Sequence, residues 1–258
     1  MSAYSTKKRY ASLILALVYR DITSKYRRSM LGPAWAILQP LLLMAVFTLL
    51  SKTIGISSDG LPYVLFSYAV LVPWTFFTTA VNGCCPSIMS NASILKKIAL
   101  PKELFPISAV VTAVVDMAAA SLILAGMMLW YRVPMGWELC WVPVLTALTA
   151  ALAFGVGIGI ASLGIFKRDF LPAGAFLMQL WLYATPIIYP LSSISDRWRP
   201  VYILNPMVGI LEGFRSVLAR GQAPDLLLIL LAIPGIALVL LITWPLFRKT
   251  SQYFADVL

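Results

Sequence analysis

Apolar residues gather in six long runs, roughly 33–51, 62–83, 105–130, 140–165, 170–190 and 225–246, with polar or charged segments between them. Each run is about 20 residues, the length an α-helix needs to cross ~30 Å of hydrocarbon. The pattern predicts an all-α integral membrane protein with six transmembrane helices. Residues 10–31 differ in kind. They put Ile14, Leu17, Val18, Ile22 and Tyr26 at helical spacing, with Arg20, Asp21, Ser24, Lys25 and Arg28 mostly on the other side. An apolar face backed by a basic one suits an amphipathic helix lying at the membrane interface. A generic basic anchor is the plainer alternative.

Two polar interruptions stand out. "SILKKIALPKELFP", residues 93–106, can form about two helical turns before Pro101 ends the pattern. Its apolar Ile94, Leu95 and Ile98 beside Lys96 and Lys97 suit a helix seated in a partner's groove, or simply a basic turn that sets topology. The second, about 191–224, is long for a loop. Val208, Leu211, Phe214, Val217 and Leu218 have helical spacing there, punctuated by Pro200, Pro206 and Gly221. One or two short re-entrant helices before the last span fit this better than a free tether.

Composition agrees with a membrane protein. Residues are 60% hydrophobic and 12% charged, against about 25% charged in soluble domains. The net charge of +10 raises the question of nucleic acid, but its placement answers it. With both termini cytoplasmic, fourteen of the 20 basic residues fall in 1–32, 91–104, 166–169 and 247–258, with four acids. Six basic residues and five acids fall on the other side. This is the positive-inside pattern, and no nucleic-acid partner is needed to explain it. The chain then divides into a cytoplasmic segment, 1–32, carrying the interfacial helix, and a six-span domain, 33–258. Residues 1–30 are too charged to read as a cleavable signal peptide.

Several chemistries drop out. The chain has no histidine, which removes His-ligated metals and His-based catalysis. Cys84, Cys85 and Cys140 form no disulfide framework. No Gly-Lys dipeptide ends a phosphate-cradling loop, so ATP hydrolysis by that route is excluded. Gly155, Gly157 and Gly159 lie inside an apolar run, where close helix packing is the expected role rather than dinucleotide binding. Asp116 is the lone ionisable residue deep in a span. It marks either a polar path or a helix–helix hydrogen bond. Aromatic residues crowd the ends of the second and fifth runs and the segment after them: Trp74, Phe77, Trp181, Tyr183, Tyr189 and Trp198 among them. An interfacial belt explains these; so does a carbohydrate path, because sugar rings lay C–H faces on aromatic rings.

Six fragments, in order, resemble one family. They are "YRRSMLGPAWAILQP" (26–40), "VPWTFF" (72–77), "ILKKIALPKELFP" (94–106), "FKRDF" (166–170), "TPIIYP" (185–190) and "NPM" (205–207). Together they resemble the membrane subunit of bacterial ABC transporters that export O-antigen, capsule or teichoic acid. The resemblance implies a homodimer in the inner membrane, bound to two copies of a separate ABC-type ATPase. ATP and magnesium would sit on that ATPase, and no cofactor, metal or catalytic residue on this chain. It implies that about 93–103 is a coupling helix, with Ile94, Leu95, Lys96, Lys97, Pro101, Lys102 and Glu103 on the ATPase and Arg20 and Asp21 of the interfacial helix close by. The first and fifth spans would flank a channel, and 191–224 would gate its outer mouth. Trp74, Phe77, Trp181, Tyr183, Tyr189 and Trp198 would guide a lipid-linked polysaccharide. The endings "TPIIYP" and "YFADVL" lean toward O-antigen of lipopolysaccharide, with capsule or teichoic acid the alternative. A membrane-embedded transferase or an ion channel is the rival outside the family. Two departures are visible: Lys167 replaces the Phe usual in Phe-Phe-Arg-Asp, and Ala113 stands where a carboxylate is usual.

Overall fold

In the computed structural model, which describes residues 3–27, 29–97 and 100–257, helix is the only regular structure among the described residues. The chain opens with α1 (Ala3–Tyr26) and α2 (Ala34–Ile54), then α3 (Tyr63–Met89), a short α4 (Ala92–Lys97) and α5 (Leu104–Trp130). After a 3-10 turn come α6 (Trp141–Gly164) and α7 (Phe170–Tyr183). Two short helices, α8 (Arg199–Ile203) and α9 (Pro206–Arg215), lead through one π turn to α10 (Leu226–Ser251) and a final turn, α11 (Phe254–Val257).

Among the described residues, five helices are long and apolar enough to cross a membrane: α2, α3, α5, α6 with the turn before it, and α10. The run expected at 170–190 gives a shorter apolar helix: it is helical only over Phe170–Tyr183, about 21 Å at ~1.5 Å per residue. The cause is local: Pro186 lacks an N–H and disfavours helical geometry at Thr185 before it, so the chain leaves the helix early.

The helices alternate in direction between two ends. At one end lie α4, the start of α5 and the end of α10, where the Lys102 ammonium donates to the Ser251 carbonyl. At the other lie α9, the α2–α3 loop and the start of α3, where Tyr63 donates to the Ile188 carbonyl at 2.8 Å. The α3 helix is the centre of the bundle, packed on α5, α6 and α2. It is buried nearly throughout although it is uniformly apolar, as expected of a helix surrounded by others.

The glycines of α6 do pack closely. A side chain at Gly155 or Gly159 would press on Val239, Leu240 or Thr243 of α10, and one at Gly157, on the opposite face, would strike Cys84 of α3. Short helices do form across 191–224. Asn205 caps α9 by accepting from the Met207 N–H at 3.1 Å, with Pro206 in the first turn where a missing N–H costs nothing. All three cysteines are free.

Candidate functional site

At the α4 end, Asn91 starts the short helix: its carbonyl accepts from the N–H groups of Ile94 and Leu95, each at 3.0 Å. Leu95 turns inward. It joins a buried cluster with Ile88, Phe105, Phe247 and Phe254, the last drawn from the C-terminal turn. Leu95 is therefore an anchor of α4 to its own bundle, which corrects its reading as a groove contact: a Leu in a closed core offers nothing outward. Lys96 is exposed, and Ile94, Pro101, Lys102 and Glu103 are half-buried. Ile98 and Arg28 lie outside the described residues, as does the Lys97 side chain.

Arg20 and Asp21 meet this corner. Arg20 pairs with Asp21 at 2.6 Å and donates to the Asn91 side chain, while Ser108 of α5 donates to Asp21 at 3.1 Å. One turn further, Lys25 pairs with Asp116 at 2.5 Å and the Tyr26 hydroxyl donates to the same carboxylate. Asp116 lies about 18 Å along α5 from Leu104 at ~1.5 Å per residue. The polar side of α1 thus supplies Asp21 and Lys25 to contacts with α5. A carboxylate buried among apolar helices is costly alone, and α1 supplies it a cation and a hydroxyl. Burial first, then the bond to Asp116, raises the Tyr26 phenol above its ordinary range, so it stays a donor.

At the α9 end stands a network that no sequence motif announces. Arg215 is fully buried. Its guanidinium pairs with Glu212 at 2.6 Å, donates to the carbonyls of Pro186 and Ile187 at 2.9 and 3.3 Å, and lies 4.0 Å over the Phe66 ring. Glu212 also holds Arg220 at 2.7 Å, and Arg220 reaches Asp59 of the α2–α3 loop at 3.3 Å. Ser192 donates to that same Asp59 at 2.8 Å. Desolvation lowers the Arg215 pKa, with Glu212 opposing the shift. Positive φ at Gly221 closes the π turn, where a side chain would meet the Pro134 carbonyl. The signal in the sequence was an Arg in the apolar register of Val208, Leu211, Phe214 and Leu218; its partners, from three segments, were invisible.

The aromatic residues fall into two groups. Trp74 and Phe77 are buried in α3. They support Trp181 of α7, whose ring meets Phe77 edge-on at 5.3 Å and whose indole N–H donates to Asn205 at 3.0 Å. Asn205 in turn donates to Thr185 at 3.1 Å. Tyr189 shares a hydroxyl contact of 3.2 Å with Tyr202, while Tyr183 and Trp198 are exposed. Trp181, Tyr183, Tyr189 and Trp198 therefore lie on α7, the stretch after it and the start of α8, and Phe77, with Trp74 behind it, braces Trp181 from inside. Among the described residues no cluster of His, Cys, Asp and Glu is fit to hold a metal.

Comparison of the sequence with known proteins places the chain in a family. The profile of the ABC-2 type transporter family matches residues 12–219. The O-antigen export system permease protein RfbA of Myxococcus xanthus is 28% identical over 253 residues, covering 96% of this chain and 95% of that protein. RfbA of Klebsiella pneumoniae is 25% identical over 248 residues, 95% of each chain. The capsule polysaccharide export inner-membrane protein CtrC of Neisseria meningitidis serogroup A is 24% identical over 216 residues, 79% of this chain and 78% of that one. An all-helical chain whose sequence matches this family profile over residues 12–219, most of its length, belongs to the ABC-2 type transporter family.

Proposed function

We propose that this chain is the membrane subunit of an ATP-driven exporter that moves a lipid-linked polysaccharide, O-antigen in the first instance, outward across the bacterial inner membrane. The observation that carries this reading is the near end-to-end likeness to O-antigen export permeases, whereas the likeness to the capsule exporter is shorter. Two copies would form the channel. Supporting this, α2 and α7 leave apolar faces unpartnered: Leu42, Val46 and Leu49 on one, Phe176, Leu177 and Leu180 on the other. In this reading α7 and the Ala184–Pro190 stretch together make the sixth pass, and both termini are cytoplasmic.

Two copies of an ABC-type ATPase would seat on α4, with exposed Lys96 and half-buried Ile94 toward them. Motion of α4 has two hard routes into the bundle. One is Asn91 to Arg20 and Asp21 on α1; the other is Leu95 to Phe254 and α10. ATP would be hydrolysed on the partner and work delivered here. The outer network from Arg215 to Asp59 would hold the mouth closed between strokes.

The test is Lys96→Glu in a cell that also makes the partner ATPase. Surface glycan should fall at least tenfold, and ATP hydrolysis should no longer respond to the membrane subunit. Undiminished glycan, or purification of this chain at full yield with no ATPase bound to it, refutes the reading.

A further inference from the structure

Between α1, α2, α3 and α5, in the half of the bundle nearer α4, lies a cleft of about 580 Å³. That size falls within the ~300–1,000 Å³ of small-molecule sites. Its lining is unusual for helices of this kind. Gln39 on α2 and Asn82 on α3 are exposed, and among the described residues their amides have no hydrogen-bond partner. The Thr112 hydroxyl on α5 is more than nine-tenths buried, lines the same cleft and is also unpartnered. An Asn or Gln aimed at hydrocarbon is unfavourable by several kcal/mol on the water-to-alkane scale, ~4–8 for an amide. This face is therefore not a lipid face.

A smaller pocket shares Lys25, Gln39 and Thr79 with the cleft and adds the half-exposed ring of Trp35. Charge selects among polar ligands. Lys25 is neutralised by Asp116, and Asp21 by Arg20, so neither a strong anion nor a cation is favoured. What remains is amide and hydroxyl groups, which both donate and accept, beside one exposed aromatic face. Vicinal hydroxyls with a C–H face have that complementary chemistry.

We infer that this cleft is a binding site for a neutral sugar ring, with Gln39, Asn82 and Thr112 as hydrogen-bonding residues and Trp35 as the stacking surface. It is separate from the aromatic group at the α9 end. The inference rests on the proposed role in polysaccharide export.

The experiment places a benzophenone amino acid at one of three positions in cells carrying the complete export system. The positions are Ala109, which lines the cleft without a hydrogen-bonding role, Trp198 at the opposite end, and Leu122, an exposed apolar residue of α5. After irradiation the purified chain is stained for periodate-oxidisable glycan and its adducts are weighed. Glycan at 109 and not at 122 is expected. Adding Thr112→Val, a near-isosteric change, should reduce labelling at 109 at least threefold. Glycan at 198 but not at 109 overturns the site and leaves the export reading standing. A phospholipid adduct at 109 without sugar overturns it in favour of a headgroup. Equal labelling at 109 and 122, or labelling at 109 indifferent to Thr112→Val, also overturns it. No glycan at 109 or at 198 overturns the export reading itself.

Discussion

Glu212→Gln is the most demanding perturbation of the outer network. Glu212 forms ion pairs with both Arg215 and Arg220. Its side chain is 12% exposed and that of Arg215 is 0% exposed, so the Arg215 cation has almost no recourse to water. Removing one partner of a buried pair costs about 3–5 kcal/mol, because the other charge is left uncompensated. The carbonyls of Pro186 and Ile187 and the Phe66 ring stay on Arg215 and soften the loss. The low end, about 3 kcal/mol, is the expected value. Asp59→Asn is the matched control. Asp59 touches the same network through Arg220, but at 3.3 Å and with side chains 31% and 24% exposed. Such a pair is worth ~0–1 kcal/mol. The assay is reversible unfolding in mixed micelles, read as the fraction folded against denaturing detergent. Three kcal/mol is a factor of roughly 150 in the folding equilibrium, while one is roughly five. If the two variants unfold together, or Glu212→Gln lies within about 1 kcal/mol of the parent, burial is not what gives this network its strength.

Phe254→Ala should empty the fully buried ring site beneath α4, cost about 3–5 kcal/mol, and make the α4 region cleavable by protease under conditions where the parent resists. Tyr26→Phe removes a charge-assisted hydrogen bond worth ~1.5–3 kcal/mol. Because the folded phenol titrates above its ordinary 10.0, that contribution is present in full below about pH 10 and fades only as pH climbs through the raised value. The stability difference between parent and Tyr26→Phe should therefore be flat from about pH 6 to 9, and a slope there would refute the assignment. Trp181→Ala should cut surface glycan severalfold while the complex with the ATPase still assembles. Unchanged glycan would return these rings to the role of an interfacial belt.

Much of the architecture was legible because hydrocarbon imposes a simple rule: a crossing helix must be long, apolar and self-satisfied in hydrogen bonds. Five of the expected runs became helices close to their expected bounds: 33–51, 62–83, 105–130, 140–165 and 225–246. The run at 170–190 is helical over a shorter length than its hydropathy suggests, because hydropathy counts apolar residues and does not see the backbone cost of Pro186. The site was less legible. Pro101 and Lys96 marked the α4 corner, but nothing near them in sequence revealed that Phe254 braces it. Trp74 and Phe77 looked like Trp181 and Tyr183 until burial separated support from surface.

Sequence alone determined that this is a helical membrane protein, with its charge gathered between and beyond the apolar runs and a short basic helix between spans. Those properties follow from composition and local pattern. The tertiary structure decided which charges are partners. Asp116 looked solitary, yet its cation and its hydroxyl come from a helix some 90 residues earlier. Arg215 takes its partners from its own helix, from the chain near Pro186 and from the ring of Phe66. An ionisable group in a membrane bundle is settled by whatever lies within about 4 Å of it in a medium of low dielectric, and proximity at that scale belongs to packing, not to order along the chain.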